Sequence, residues 1–351
     1  MKSITLFAGG ALLAAAAFTL FVPTWEHTPR GTEMSFPQGI QFEPARTWLA
    51  SNKVPAPLPP AETGGPMATE TYKNVQVLTD VSAAEFMRTQ YAITQWVSPR
   101  EGCGFCHAGE DWASDAKPAK AAARIMMRMT RHLNADWQEH VQPSGVTCYS
   151  CHRGQPVPAE TWFPQAPMPQ RRYVAKRDNW QESADTVRKF FPDAGWDEWY
   201  VGDEPIYVQS DTALPANRVA STVVAKRVYE MMMQYSDGIG VNCGYCHNSR
   251  AFWDWNESTP QRWTGYNALR LVRDLNNNFL LQVAAAIPET RQLVRETNLP
   301  VIPAQQRGVQ QGSGLVVCAT CHQGVPQPLN GANMVHDYPA LAPAAAAHAA
   351  R

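Results

Sequence analysis

The sequence predicts a mainly α-helical protein with an N-terminal transmembrane helix, two similar halves and long irregular connections. Three observations predict this class. A Cys-x-x-Cys-His box occurs four times, in two pairs of similar sequence. Segments with the apolar spacing of helices precede the boxes. An uncharged run opens the chain, and 28 prolines among 351 residues indicate irregular connections between the helices.

The overall composition is that of a folded protein with no charged bias. Apolar residues make up 44% and charged residues 17% of the chain, which is too apolar for a disordered protein. The net charge is −1, so no overall basic field suggests a nucleic-acid partner. Any charged docking surface must therefore be local.

The N-terminal residues 1–25 are predicted to form a transmembrane anchor. The run from Ser3 to Trp25 carries no charge, is long enough to cross a bilayer, and has a tryptophan at its outer end. The alternative is a cleaved signal peptide, for which Ala14–Ala17 offer small-residue sites. No cysteine lies near the run, which excludes a lipid-anchored N-terminus. Residues 26–70 are rich in proline and are expected to form an extended arm.

All eight cysteines lie in the four boxes, and each box ends in histidine. In the haem-attachment motif, two thiols add to the porphyrin vinyl groups and the adjacent imidazole binds the iron. Zinc sites with redundant histidines are the alternative, and they do not explain a histidine after every second cysteine. We therefore predict a multihaem cytochrome with four covalent c-type haems. The boxes are the first (Cys103, Cys106, His107), the second (Cys148, Cys151, His152), the third (Cys243, Cys246, His247) and the fourth (Cys318, Cys321, His322).

The chain repeats one unit of helix, box, helix and box. "GCGFCH" returns as "NCGYCH", and "CHRGQPVP" returns as "CHQGVPQP". This repeat predicts two haem-pair halves related by a pseudo-twofold axis. The predicted divisions are a first half (71–160), a connecting insert (161–214), a second half (215–330) and a mobile Ala/Pro-rich tail (331–351).

The helix before each box is expected to supply the second axial ligand of the iron, as Met or His does in electron carriers. The second box has Met126, Met127 and Met129 to choose from, and the third has Met231, Met232 and Met233. For the fourth box, the repeat aligns Leu271 and Val272 with Met126 and Met127, and neither residue can bind iron. The fourth iron must take its ligand from elsewhere or stay five-coordinate. The candidates are the histidines outside the boxes, of which His140 is well placed and His27 and His348, in the arm and the tail, are not; the full set is His27, His132, His140, His336 and His348.

The helix before the first box lacks an obvious ligand. Ser82-x-x-Glu85 is a capping box that predicts the start of this helix. The stripe that follows at helical spacing consists of Phe86, Gln90, Ile93 and Val97. Met87 is the nearest methionine, and it lies outside this stripe.

These motifs resemble the tetrahaem cytochrome subunit of the photosynthetic reaction centre of phototrophic bacteria. The resemblance runs from Val75 to Pro328 and is carried by "ARIMMRMTRHLNADWQEHVQPSGVTCYSCHRG" and "GVNCGYCHN". It implies Met126, Met232 and His140 as distal ligands of the second, third and fourth haems. It also implies a methionine 13 positions before the first box, where this chain has Gln90.

The distal position of the first haem is therefore open. The iron could be five-coordinate or water-bound, or it could take Gln90, Met87 or another residue. Gln oxygen is a harder and weaker ligand for haem iron than a thioether. With a mobile or missing sixth ligand, we expect a first haem of lower potential than a Met/His site.

The sequence predicts an electron-transfer protein rather than an enzyme, because it has no dinucleotide fingerprint, nucleophile elbow or second metal motif. The resemblance implies a place on the periplasmic face of the photosynthetic membrane, bound to the membrane subunits that carry bacteriochlorophyll. There the chain would re-reduce the photo-oxidised special pair, with electrons from a soluble cytochrome c or high-potential iron–sulfur protein. Outward from the pair, the implied haem order is third, fourth, second, first. The alternatives are a membrane-anchored multihaem quinol dehydrogenase or a multihaem reductase.

An acidic cluster surrounds the first box. It could dock a basic carrier, and a solvated charged loop is the alternative interpretation. Its members are Glu101, Glu110, Asp111 and Asp115.

Overall fold

Helices form the regular structure of the part of the chain that the computed structural model describes. That part comprises residues 52–161, 199–203, 206, 222–287 and 314–342, all within the compact unit Asn52–Arg351. Isolated antiparallel bridges pair Met67 with Ser82 and Ala108 with Asp111. The prediction of a mainly helical fold is confirmed for these residues.

The helices follow the predicted order of helix and box in both halves. In the first half they are α1 (Ala68–Thr71), α2 (Ala83–Val97), α3 (Pro118–Asp136), α4 (Gln138–Val141) and α5 (Cys148–His152). In the second half they are α6 (Thr222–Ile239), α7 (Pro260–Leu275), α8 (Leu281–Ala286) and α9 (Cys318–His322), and α10 (Met334–Asp337) follows the second half. A π-helical turn, Asn276–Leu280, joins α7 to α8, and short 3₁₀ turns cover Gly102–Phe105, Cys243–Tyr245, Pro328–Gly331 and Pro339–Leu341.

Local sequence signals explain where the long helices begin. The Ser82 hydroxyl accepts a hydrogen bond from the Glu85 backbone N–H at 3.2 Å, which satisfies one free donor of the first turn of α2. Pro118 and Pro260 occupy the first positions of α3 and α7, where a missing N–H costs nothing. The Ser82 half of the capping box predicted for α2 is therefore present, whereas the Glu85 carboxylate accepts hydrogen bonds from Arg88 and Thr89.

The long helix of each half packs against the short box helix of the same half. In the first half the Gly154 N–H donates to the Trp96 carbonyl at 2.7 Å, and in the second half the Gly324 N–H donates to the Gly238 carbonyl at 3.0 Å. The second approach is so close that a Cβ on Gly240 would lie 1.9 Å from the Gly324 carbonyl oxygen. Gly240 also has a φ of +67°, so only glycine fits this crossing without strain.

A buried asparagine holds the segment ahead of the second box in each half. The Asn134 side chain donates to the Val146 carbonyl and accepts from the Val146 N–H, both at 2.8 Å. The Asn276 side chain pairs with Val316 in the same way, at 3.1 and 2.8 Å. Each asparagine donates a further bond to a distant carbonyl, of Leu341 and Tyr200 respectively. These amides fix the entry of the chain into α5 and α9.

The predicted tail and the predicted arm can be compared with the described residues, and the tail needs correction. The tail was predicted to run over 331–351, but residues 331–342 form α10 and a 3₁₀ turn. Tyr338 and Leu341 are buried there, against Trp96 and Ala92 of α2. The prediction was wrong because it relied on the Ala/Pro-rich composition of the segment and gave too little weight to these two large apolar side chains. Of the arm predicted over 26–70, residues 52–66 lack helix and Leu58 packs on the same cluster, whereas α1 begins at Ala68.

Most of the insert and the predicted anchor lie outside the described residues. Within the insert, Trp199 and Tyr200 are buried in a core cluster to which both halves contribute, with Leu133 from the first half and Leu275 from the second. Among the described residues, no helix is both long and apolar enough to cross a bilayer. The anchor predicted over 1–25 falls in the part of the chain that is not described.

Candidate haem sites

The imidazole of every box is held by its Nδ1 atom. In each case Nδ1 lies within hydrogen-bond distance of a backbone carbonyl a few residues later. A carbonyl only accepts, so Nδ1 carries the proton and the Nε2 lone pair is free to bind a metal. The pairs are His107 with Trp112 (3.1 Å), His152 with Gln155 (2.8 Å), His247 with Phe252 (2.9 Å) and His322 with Val325 (3.0 Å).

The boxes fold in two ways that alternate along the chain. The first and third form 3₁₀ turns in which the histidine N–H donates to the carbonyl of the first cysteine. The second and fourth are the one-turn helices α5 and α9, and each ends in a left-handed residue, Arg153 or Gln323. Each arrangement places two thiols and one imidazole within a single turn. That is the donor set a covalent haem requires.

Burial favours the neutral form of the four box histidines and of two box thiols, Cys148 and Cys318. Desolvation lowers the pKa of all four box histidines, and it brings the pKa of His322 to about 4. Burial also raises the pKa of Cys148 and of Cys318 to about 12. A metal-binding imidazole must be unprotonated, so the histidines are in the required state at neutral pH.

His140 faces the fourth box, as the resemblance implies. The ring centres of His140 and His322 lie 6.1 Å apart, with 66° between the ring planes. Two metal–nitrogen bonds of about 2 Å, and roughly 1 Å from each ring centre to its nitrogen, span about 6 Å. His140 Nδ1 is buried with no hydrogen-bond partner, which is unusual for a polar atom. An iron held between the two rings fits this geometry.

The methionines implied as ligands differ in burial from their neighbours. Met127 and Met129 are buried in separate clusters of the core, whereas Met126 is half-buried between them. Met231 is fully buried and Met233 is exposed, whereas Met232 is half-buried. The residues that the resemblance selects therefore lie at the edge of a core cluster and are less buried than Met127, Met129 and Met231.

Gln90 occupies the same place beside the first box as Met126 does beside the second. The Thr94 hydroxyl donates to the Gln90 carbonyl at 2.9 Å and lies 3.9 Å from Cys103 Sγ. In the same way, the Thr130 hydroxyl donates to the Met126 carbonyl at 2.9 Å, and it acts to lower the pKa of Cys148. One helical turn thus links each potential ligand to its box.

Met87 lies in a different environment from Gln90. Its side chain lines a surface groove between α2 and the arm, together with Leu58, Pro59 and Tyr91. A methionine in this groove contacts the arm rather than the threonine beside the first box. The groove makes Met87 the weaker of the two named candidates for the first distal position.

Sequence reasoning missed the roles of Asn134, Asn276 and Arg153 in these sites, and it left His132 as a candidate ligand. His132, one of the histidines considered for the fourth box, lies 2.6 Å from both Asp274 and Asp136, so it is already engaged. Asn134 and Asn276 end the aligned strings "RHLN" and "RDLN", a repeat that could have identified them. The bonds that Arg153 makes across to the fourth box depend on tertiary contacts and leave no local signal.

The acidic cluster around the first box is smaller than the sequence indicates. Asp115 lies 2.9 Å from Arg124 and 3.3 Å from Lys120, and Asn74 also donates to it. The hydrogen bond from Arg124, followed by that from Asn74, holds the pKa of Asp115 well below its usual value. Its charge is therefore compensated within the protein. Glu101, Glu110 and Asp111 remain exposed.

Comparisons with known proteins agree on one family. The family "Photosynthetic reaction centre cytochrome C subunit" matches residues 22–342. The photosynthetic reaction center cytochrome c subunit of Rubrivivax gelatinosus is 38% identical over 305 residues, which cover 86% of this chain and 79% of that protein. The same subunit of Thermochromatium tepidum is 38% identical over 323 residues, 90% of this chain and 76% of that protein. That of Roseobacter denitrificans is 33% identical over 329 residues, 90% and 84% respectively.

These matches cover the boxes, the helices before them and the packed residues up to Ala342. The chain is an electron-transfer protein of photosynthesis, and c-type haems are implied by both the family and the boxes. It belongs to the photosynthetic reaction centre cytochrome c subunit family and donates electrons to the photo-oxidised special pair.

Proposed function

We propose that this chain carries electrons from a soluble periplasmic carrier to the special pair through four c-type haems, one attached at each box. The observation that carries the proposal is that the histidine Nδ1 atom is held by a backbone carbonyl in all four boxes. This contact leaves each Nε2 free for iron. Each haem, when bound, supplies a one-electron couple. The protein supplies the axial ligands, the spacing and the surrounding dielectric.

The proposed distal ligands are Met126, Met232 and His140, for the second, third and fourth boxes. The half-buried position of both methionines and the orphaned ring nitrogen of His140 support this set. For the first box we propose that Gln90 lines the distal side. Its side chain makes no hydrogen bond to any residue in the described part of the chain, and its backbone carbonyl accepts from the Thr94 hydroxyl. An amide oxygen or a water molecule in that place gives a weaker ligand field than a thioether.

The packing of the helices supports a single path through the boxes. Helix α2, which precedes the first box, packs on α5 of the second box. Helix α5 meets α9 of the fourth box, where Cys151 Sγ and Cys321 Sγ lie 2.6 Å apart. Helix α9 packs on α6, which precedes the third box. Neighbouring boxes therefore follow the order first, second, fourth, third, which is the order implied by the resemblance, with the third box at the special pair.

The same proposal places the chain on the periplasmic face of the photosynthetic membrane, held by an N-terminal helix over residues 1–25 and by the membrane subunits of the reaction centre. The soluble donor, a cytochrome c or a high-potential iron–sulfur protein, would dock near the first box. Glu101, Glu110 and Asp111 are the exposed acidic groups there that could attract a basic carrier.

Two measurements test this function. The intact mass of the purified chain should exceed the mass of the polypeptide by four haems, and by three after Cys148→Ala and Cys151→Ala together. In membranes that contain the whole complex, a flash should oxidise c-type haem while the special pair is re-reduced. Fewer than four haems, or re-reduction that is unchanged when this chain is removed, would overturn the proposal.

A further inference from the structure

The second and fourth boxes are joined by a reciprocal pair of side chains. Arg153 follows His152, Gln323 follows His322, and both residues adopt the left-handed conformation, with φ of 51° and 46°. Arg153 Nη2 donates to the Cys321 carbonyl at 3.0 Å, and Gln323 Nε2 donates to the Cys151 carbonyl at 3.4 Å. Each residue thus ends its own box and reaches across to the other.

The two members of this pair differ in charge. Arg153 carries a permanent positive charge, because its guanidinium does not deprotonate in proteins even though burial lowers its pKa. Three of its acceptors are neutral, namely the carbonyls of Cys321 and Ser150 and the side-chain oxygen of Asn52. Gln323, at the equivalent position, is neutral. The structure therefore places one fixed charge at the junction of two boxes that are otherwise built alike.

A half-buried charge at this junction acts on both boxes at once. Reduction of a haem iron removes one positive charge from its site, so a nearby cation favours the reduced state. Arg153 bonds to the backbone of both boxes, at Ser150 and at Cys321, so neither site is remote from its charge. Salt screens a partly buried charge less than a charge on the surface.

We propose that Arg153 is a potential-setting residue that raises the reduction potentials of the second and fourth sites together. The inference rests on the proposed function in one respect, namely that both boxes hold a haem. The shared charge links the two middle sites of the path, so that any change at residue 153 moves both potentials in the same direction. The first and third boxes lie beyond these two, and they are affected less.

The test is a spectroscopic redox titration of the purified, fully loaded chain. In Arg153→Gln, the ratio of reduced to oxidised haem at a fixed ambient potential should fall about tenfold at the second and fourth sites. This is the order expected for one charge about 10 Å away at an effective dielectric of about 20. A tenfold change corresponds to 59 mV for one electron. The first and third sites should shift by a smaller factor.

The internal repeat provides matched variants. The double variant Arg153→Gln with Gln323→Arg moves the charge to the equivalent position and should restore both potentials. Gln323→Arg alone adds a second charge and should raise both, which keeps the test open if Arg153→Gln fails to load haem. Arg153→Lys keeps the charge and should resemble the wild type. Arg128→Gln removes an exposed arginine of α3 and should change nothing.

The outcomes separate this inference from the proposed function. If Arg153→Gln or Gln323→Arg binds four haems and leaves the second and fourth potentials unchanged, the inference is overturned. It is also overturned if Arg153→Lys shifts both potentials as far as Arg153→Gln does, because a purely structural role would then explain the effect. A wild-type chain without haem at the second or fourth box would instead count against the proposed function.

Discussion

The two halves of the described chain share the hydrogen bonds that hold their boxes. They differ at the side chains proposed to lie beside the haems. Both halves fix the box histidines through Nδ1, and both hold the segment before the second box with a buried asparagine, Asn134 or Asn276. Where the first half has Gln90, the second has Met232, and where the first has Arg153, the second has Gln323. The repeat therefore supplies a scaffold, and we expect the side chains that differ to set the individual potentials of the proposed haems.

The halves also depend on each other. Leu271 and Val272 take the places of Met126 and Met127, and both are buried in the core cluster to which both halves contribute. The imidazole that faces the fourth box comes instead from His140 of α4, in the first half. One half alone could not complete the fourth site. We therefore expect variants at the place where α6 crosses the fourth box to affect both halves.

The largest expected effect tests the tight crossing of α6 over the fourth box. Gly240→Ala should lower the free energy of unfolding by about 3 kcal/mol or more, because its Cβ would overlap the Gly324 carbonyl and its φ is positive. Denaturant unfolding followed by circular dichroism measures this. Gly265→Ala on α7 has open space around it and should instead stabilise by about 0.5–1 kcal/mol. Equal effects at both glycines would show that the crossing is not tight.

The second prediction compares the paired asparagines. Asn276→Ala and Asn134→Ala should each lower the free energy of unfolding by about 2–3 kcal/mol, because each leaves buried backbone groups without a partner. The exposed Asn277, which donates only to the Val201 carbonyl, offers a matched control with a change below about 1 kcal/mol. If only one of the two buried asparagines mattered, the scaffold would not be shared by the halves.

The third prediction concerns the difference at the first box. Gln90→Met should raise the reduction potential of the first site, since a thioether favours ferrous iron. At a fixed ambient potential the ratio of reduced to oxidised haem should rise about tenfold or more, which corresponds to about 1.4 kcal/mol. A redox titration, together with a new Met–iron absorption band, measures it. Met87→Leu is the control and should leave the first potential unchanged. A first site that responds to Met87→Leu instead would assign the ligand to Met87.

The smallest effect concerns the contact of His132 with Asp274 and Asp136. Burial acts to lower the pKa of His132, but the hydrogen bonds and charges of Asp274 and Asp136 outweigh it and raise this pKa above 6.5. The stabilisation is therefore full below pH 6.5 and is lost as the pH rises through the raised pKa. Burial acts to raise the pKa of Asp274, but its hydrogen bonds, first of all that with His132, lower it. The stabilisation that Asp274 contributes is therefore present above its ordinary pKa of 3.8 and is lost as the pH falls below that value.

Solvent screening limits this contribution to about 0.5 kcal/mol. Thermal unfolding measured from pH 5 to pH 9 should show a decline in melting temperature that His132→Gln removes. An unchanged pH profile in His132→Gln would mean that this pair does not join the halves energetically.

Local patterns in the sequence were sufficient to predict the boxes, the helices before them and the start of α2 at Ser82. They also identified His140, because a histidine just ahead of a box stands out in a chain with nine histidines. The packing of residues 331–342 was mispredicted, because the burial of Tyr338 and Leu341 depends on α2, which lies far away in sequence. The bridge from Arg153 to Cys321 spans 168 residues and could not be inferred from either segment alone.

The central claim is that electrons pass through the boxes in the order first, second, fourth, third and then reach the special pair. Time-resolved absorption after a single flash, on the intact complex with all haems reduced, tests it most directly. The account predicts that the oxidised signal arises first at the third box and reaches the first box last. A signal that arises first at the first or second box would contradict it.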